Sequence, residues 1–343
     1  MSDEPVRAAG ASAAAQAGAA VGAPLPRLTS LRAVAALTVF LAHVDRWGVA
    51  SLPGGVAELG YAGVTFFFVL SGFILTWSHR TGVPVSTFYR RRFARVWPSH
   101  AVVLVAAALV PVVAVERSWE VVLPNALLVQ AWLPLSYAYG MNGVAWSLSC
   151  EAFFYALFPA ALWCFTRTSP RTSTALTAAA VACGIGAAVV DDALAFHFPL
   201  FRLPEFLVGV AVGLAVRRGW RPAVPPSLAA LAVAVGSVVA LQLPRSLADF
   251  TLLVPFVLVL LAAADRDLYR RPGWLTSRSW VWAGEVSFAF YLVHELVVLN
   301  LRAHVGSGWP AASALLLTAV VVAAVLHHVV ERPCNAALRG ARR

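Results

Sequence analysis

The sequence predicts an all-α, polytopic integral membrane protein with about ten transmembrane helices in one bundle. Three observations predict it. Of 343 residues, 60% are hydrophobic and 12% charged, about half the charged fraction of an ordinary globular domain. Mean hydropathy is +0.77. Apolar stretches close to the roughly 20 residues that carry a helix across a bilayer recur from Leu28 onward. The same numbers exclude a disordered chain, which stays unfolded through low hydrophobicity. A formal charge of +10 raises nucleic acid as a partner, but the basic residues lie between apolar segments and not along one face, so no nucleic acid is expected. Every one of the 26 cations is arginine.

Taken in order, residues 1–26 are rich in Ala and Gly and lack both apolar periodicity and the layout of a cleaved signal peptide. They are expected to form a disordered cytoplasmic tail. A membrane domain follows over 27–333, in two halves of five spans. The first half comprises 29–47, 61–79, 99–116, 146–165 and 174–190. The second comprises 203–217, 226–243, 250–264, 283–301 and 309–330. Tilt or local thinning accommodates the shorter ones. No internal repeat is visible. Residues 334–343 are expected to be a basic cytoplasmic tail, and no appended domain is expected.

Orientation follows from the arginines. With the amino terminus in the cytoplasm, 21 fall inside and five outside, the five being Arg46, Arg117, Arg202, Arg245 and Arg302. Both termini are therefore placed in the cytoplasm. The connection 117–145, with Trp119, Trp132, Pro124 and Pro134, suits a segment lying at the membrane interface. Cys150, Cys164, Cys183 and Cys334 show no CxxC spacing and read as small packing residues, so neither a disulfide framework nor a metal site is expected.

Polar groups inside spans are costly and are functional candidates by default. The first span carries Arg32 and, after ten intervening residues, His43, about 16 Å apart along a helix. The second mixes small and aromatic residues, with Ser71 and Gly72 suited to close helix approach. In the inner loop 88–98, Arg92 and Arg95 share a face of any short helix, and guanidinium forks match phosphate oxygens. The fourth span brings Glu151 to the depth of His43, and a buried carboxylate needs a partner. A His43–Glu151 pair would suit general-base catalysis on a hydroxyl. The ninth contributes Ser287, His294 and Glu295. His327, His328 and Glu331, at the end of the last span, are assigned a structural role. No phosphate-binding Gly-rich loop, GxSxG elbow or HExxH is present.

In this order the residues resemble the membrane-bound acyltransferase family 3, ten-span O-acyltransferases of bacterial glycans and natural-product sugars. The resemblance covers about 27–333. It rests on Arg32-x10-His43, the run Phe-Phe-Phe-Val-Leu-Ser-Gly-Phe at 66–73, and Arg92-x2-Arg95 with Trp97-Pro98. Trp146-Ser-Leu-x-x-Glu151 with Tyr155, and Tyr291-Leu-Val-His294, complete it. It implies a bacterial cytoplasmic-membrane enzyme that moves an acetyl or short acyl group from acyl-coenzyme A to a carbohydrate hydroxyl, without a metal. It implies His43 as base (directly or through an acyl-histidine), Glu151 as its partner and Arg32 as a donor-positioning residue. The donor site is assigned to Arg92, Arg95, Arg32 and Ser71. The stretches 125–132 and 146–151 look more like actinobacterial members, some of which acylate sugars on macrolides. The alternative from another class is a transporter of a small solute or glycoconjugate, against which the missing repeat and unbroken helices count.

Overall fold

The computed structural model describes residues 22–110 and 117–339, and no strand occurs among them. Helix α1 spans Pro26–Arg46, and a 3-10 stretch, Pro53–Ala62, leads into α2, Gly63–Ser78. Helix α3 is Val85–Leu109; α4, Trp119–Ala126, and α5, Leu135–Ala138, lie in the long connection. Then come α6, Trp146–Arg167; α7, Pro170–Val190; α8, Asp192–His197; and α9, Pro199–Arg217. The second half continues with α10, Pro226–Ala240; α11, Arg245–Leu268; α12, Arg278–Val305; and α13, Trp309–Leu326. A π-helical turn, His327–Glu331, joins α13 to α14, Arg332–Arg339.

Eight helical segments among the described residues are long and apolar enough to cross a membrane. They coincide with eight of the ten predicted spans. The other two are helical but different in kind. Helix α10 has only 15 residues. Helix α3 begins at Val85, so the arginines expected in a loop stand on its first turns, and residues 111–116 of the predicted third span lie outside the described ones. Residues 1–21 and 340–343 of the expected tails also lie outside them. The rest of the carboxy-terminal tail is not extended chain, because α14 continues the helix and packs on α3. Proline at the first turn starts α1, α7, α9 and α10, where its missing N–H costs nothing. Ser169 and Asp191 cap α7 and α8 by accepting from the N–H groups of Thr172 and Leu194.

Between helices in lipid there is little hydrophobic drive, so close approach through small residues carries the packing. Helices α2 and α9 make the tightest pair. A Cβ at Gly72 would collide with the Phe206 carbonyl, and one at Gly209 with the Val69 carbonyl. Helix α12 meets α1 in the same way, Gly284 lying against the Thr29 carbonyl. Aromatic rings fill the seam of α2, α6 and α9: Phe154 lies 5.0 Å from both Phe68 and Phe206. We expect Gly209→Val to force α9 off α2 and to cost about 1–3 kcal/mol, as overpacking does. A lowered melting temperature and a smaller monodisperse fraction on gel filtration would report it, whereas wild-type melting would show the seam to be loose.

The 117–145 connection is expected at the membrane interface, and the structure shows both an outward and an inward side to it. Trp119 is 72% exposed, while Asn125 and Gln130 turn inward to bond the Val121 and Ala145 carbonyls. Arg202, counted among the outer arginines just ahead of the sixth predicted span, stands not in a loop but on the first turn of α9. It is fully buried on α9, bonded to Asp249 and Glu205. All four cysteines are free thiols, and no cluster of metal-ligand type occurs among the described residues.

Candidate active site

His43 lies three residues from the end of α1, buried against α12. Its Nδ1 is 2.9 Å from the Val39 carbonyl one turn back, so that nitrogen carries the proton and donates it. Nε2 is left with its lone pair. The Nε2 of His294 lies 3.3 Å from the same Nδ1. His294 in turn donates from its own Nδ1 to the Tyr291 carbonyl, at 2.9 Å. A second imidazole thus stands behind the first and fixes its tautomer and ring plane.

The carboxylate beside His43 is Glu295, whose Oε1 is 3.5 Å from Nε2 and also accepts from the Trp47 indole at 3.2 Å. The expected His43–Glu151 pair is therefore not formed. Depth along the helix explains this: Trp146 at the start of α6 lines the same cavity as His43, but Glu151 lies five residues and about 7.5 Å further along the axis, among the arginines, while α12 brings His294 and Glu295 to His43 together. Gly143 makes room for Glu295, since a Cβ there would strike its carboxylate.

His43 and Glu295 open onto a cavity of about 410 Å³ at the Arg46 end of the bundle. Trp47, Tyr61, Tyr139, Trp146 and Tyr291 supply aromatic walls, and Arg46, Arg245 and Asp192 supply charge. Burial pushes the Tyr139 phenol up to about 12, so it serves as a neutral hydroxyl. An apolar wall with a few converging polar groups is the usual build of a small-molecule site. Ring faces and hydroxyls together suit a sugar.

The remaining predicted residues form a second cluster. The Glu151 carboxylate accepts from the Tyr155 hydroxyl at 2.8 Å. Ser71 stands near the Tyr155 hydroxyl, and the guanidinium groups of Arg32, Arg95 and Arg92 stand around the Glu151 carboxylate. Arg92 stands over the Phe88 and Tyr155 rings, 5.9 Å from each. Arg95 lies 3.5 Å from Glu331, which is buried and also bonded to His327 at 2.9 Å. The structural role assigned to His327 and Glu331 thus includes a direct contact with Arg95. The π-helical turn produces it, adding a residue to the turn and swinging Glu331 into the bundle.

Arg32, Ser71, Glu151, Arg92 and Arg95 are thus brought together, while His43 stands apart at the other end of α1. His294 and Glu295 were visible in the sequence as a polar cluster, but nothing there tied them to a histidine 251 residues away.

Fold and site define a helical membrane protein with a buried imidazole pair beside a cavity at one end and a guanidinium cluster at the other. A family model described as an acyltransferase domain matches residues 25–328. The acyltransferase MdmB of Streptomyces mycarofaciens is 35% identical, covering 90% of this chain and 91% of its own. The exopolysaccharide production protein ExoZ of Rhizobium meliloti is 29% identical over 83% of this chain and 92% of its own. The peptidoglycan O-acetyltransferase OatA of Listeria monocytogenes is 26% identical, over 42% of this chain and 25% of its own. No solved structure matches. The chain belongs to acyltransferase family 3, and it is an enzyme of that class.

Proposed function

We propose that this enzyme transfers an acetyl or short acyl group from acyl-coenzyme A, bound at the cytoplasmic face, to a carbohydrate hydroxyl in the His43 cavity. One observation carries the reading. His43 commits Nδ1 to a carbonyl and keeps Nε2, with Glu295 3.5 Å away, for an aromatic and polar cavity, while phosphate-matching arginines stand at the far end of its own helix.

The acceptor hydroxyl gives its proton to His43 Nε2 as its oxygen attacks the thioester carbonyl. Collapse of the tetrahedral intermediate breaks the carbon–sulfur bond, and the His43 proton passes to the departing thiolate. Ester and coenzyme A are the products. Glu295 offsets the imidazolium charge, and His294 holds the ring in place. The arginine count supports cytoplasmic termini and a guanidinium cluster on the cytoplasmic side, where an acyl-coenzyme A donor would be met. The names of the relatives, which include a peptidoglycan O-acetyltransferase and an exopolysaccharide production protein, favour a glycan or glycoside acceptor.

The test is purified protein with radiolabelled acetyl-coenzyme A and a panel of sugar acceptors. Label recovered as a sugar ester supports the reading, and none transferred to any glycoside would overturn it. In the same assay Arg92→Lys and Arg95→Lys should each weaken donor affinity about tenfold, because a point charge cannot replace a bidentate fork. Unchanged affinity in both would reduce α3 to a topology anchor.

A further inference from the structure

Ser147, Glu151 and Tyr155 follow one another at four-residue spacing on α6, so they form a stripe on one face with a step of about 6 Å. Ser71 faces the same stripe from α2. The mechanism above uses none of these hydroxyls. Arg32, Ser71, Glu151 and Tyr155 all keep accessible surface although helices enclose them. One turn further on, that space closes. Ser147 and Tyr291 are only 4% and 6% exposed, and their hydroxyls meet at 2.9 Å. Both also reach the Val144 carbonyl, at 3.0 and 3.1 Å. On the other side of this pair Tyr291 lines the His43 cavity.

We propose that the Ser147–Glu151–Tyr155 stripe binds a diamide thiol arm of the pantetheine type. The Tyr291–Ser147 pair is then the stop at its far end, which the arriving thioester parts to reach His43. The proposal rests on acyl-coenzyme A being the donor. Its chemistry is that of matching spacing. Pantetheine carries two amides about 5 Å apart in extended chain, close to one step of the stripe. Away from water each amide needs both a donor and an acceptor. Glu151 accepts, and the hydroxyls of Tyr155, Ser71 and Ser147 donate. When the stop opens, Ser147 and Tyr291 exchange their mutual bond for the thioester carbonyl.

The experiment compares equilibrium binding of coenzyme A, acetyl-coenzyme A and adenosine 3′,5′-bisphosphate, which lacks the arm, to the purified full chain. Tyr155→Phe should weaken both coenzyme A and acetyl-coenzyme A about three- to tenfold, and Ser147→Ala should weaken acetyl-coenzyme A by as much, the effect of one lost hydrogen bond. Bisphosphate affinity should hold, which also reports an intact fold. If acetyl-coenzyme A and the bisphosphate respond alike in both variants, the track is wrong. If the wild type binds none of the three, the donor reading falls and takes the track with it. The stop is read separately, without donor. In a cysteine-free background, His43→Cys should react with an impermeant thiol reagent only from the Arg46 side. Adding Tyr291→Phe should admit the reagent from the Arg95 side, and continued silence from that side would overturn the stop.

Discussion

His43→Ala is expected to lower acyl transfer by about 10²–10⁴-fold, the usual contribution of a positioned general base. Donor affinity should stay within about twofold, because the substitution removes a base and leaves every arginine in place. The prediction separates the two ends of α1. Arg32→Ala, in the guanidinium cluster, should do the reverse and weaken the donor. The same split distinguishes the two carboxylates. Glu295→Gln should lower turnover with donor affinity held, since Glu295 touches His43 Nε2. Glu151→Gln should alter donor affinity, since the charges around Glu151 are those of Arg32, Arg95 and Arg92. Steady-state kinetics with the donor varied, beside direct binding, would read all four. Equal loss of turnover and binding in His43→Ala would place His43 in the donor site and overturn the division.

The class of fold was legible because lipid leaves the chain few choices. Apolar runs near bilayer length, separated by arginines, have no other stable form than a helical bundle. Arg32 and His43 were legible for a similar reason: ionisable groups on an apolar helix stand out. What the sequence withheld is depth. Glu151 and Glu295 are both carboxylates within apolar spans, and where α6 and α12 begin relative to α1 decides which one stands level with His43. The arginines of 88–98 read as a loop because loops carry charge, yet α3 runs through them and through Pro98. Glu331 was read as structural because an ordinary α-helical phase gives no reason for it to reach Arg95. The π-helical turn at 327–331 supplies that reach, and it has no composition signal.

Arg202 shows the same limit most clearly, and it gives the largest expected effect on stability. The arginine count treats it as one of five residues in outer connections, but the side chain is fully buried on α9. Nη1 lies 2.5 Å from Asp249 on α11, and Nη2 lies 3.0 Å from Glu205 one turn along and 3.0 Å from the Thr65 hydroxyl of α2. The Thr65 hydroxyl donates a hydrogen bond to Glu205 at 3.0 Å. The rings of Phe68, Trp146 and Phe196 enclose the guanidinium. One cation therefore ties three helices and offsets two buried carboxylates. Arg202→Met removes the cation and leaves both carboxylates, so it should cost about 3–5 kcal/mol, the range for an orphaned buried charge. Thermal unfolding in detergent should show a large drop or no folded protein at all. Adding Glu205→Leu and Asp249→Leu should restore most of the loss, because a buried ion cluster exchanged whole for apolar side chains of similar volume is often neutral. A single Arg202→Met variant that melts like the wild type would show that the two carboxylates need no partner. A triple variant as unstable as the single one would shift the weight from charge to the packing of the guanidinium between its rings.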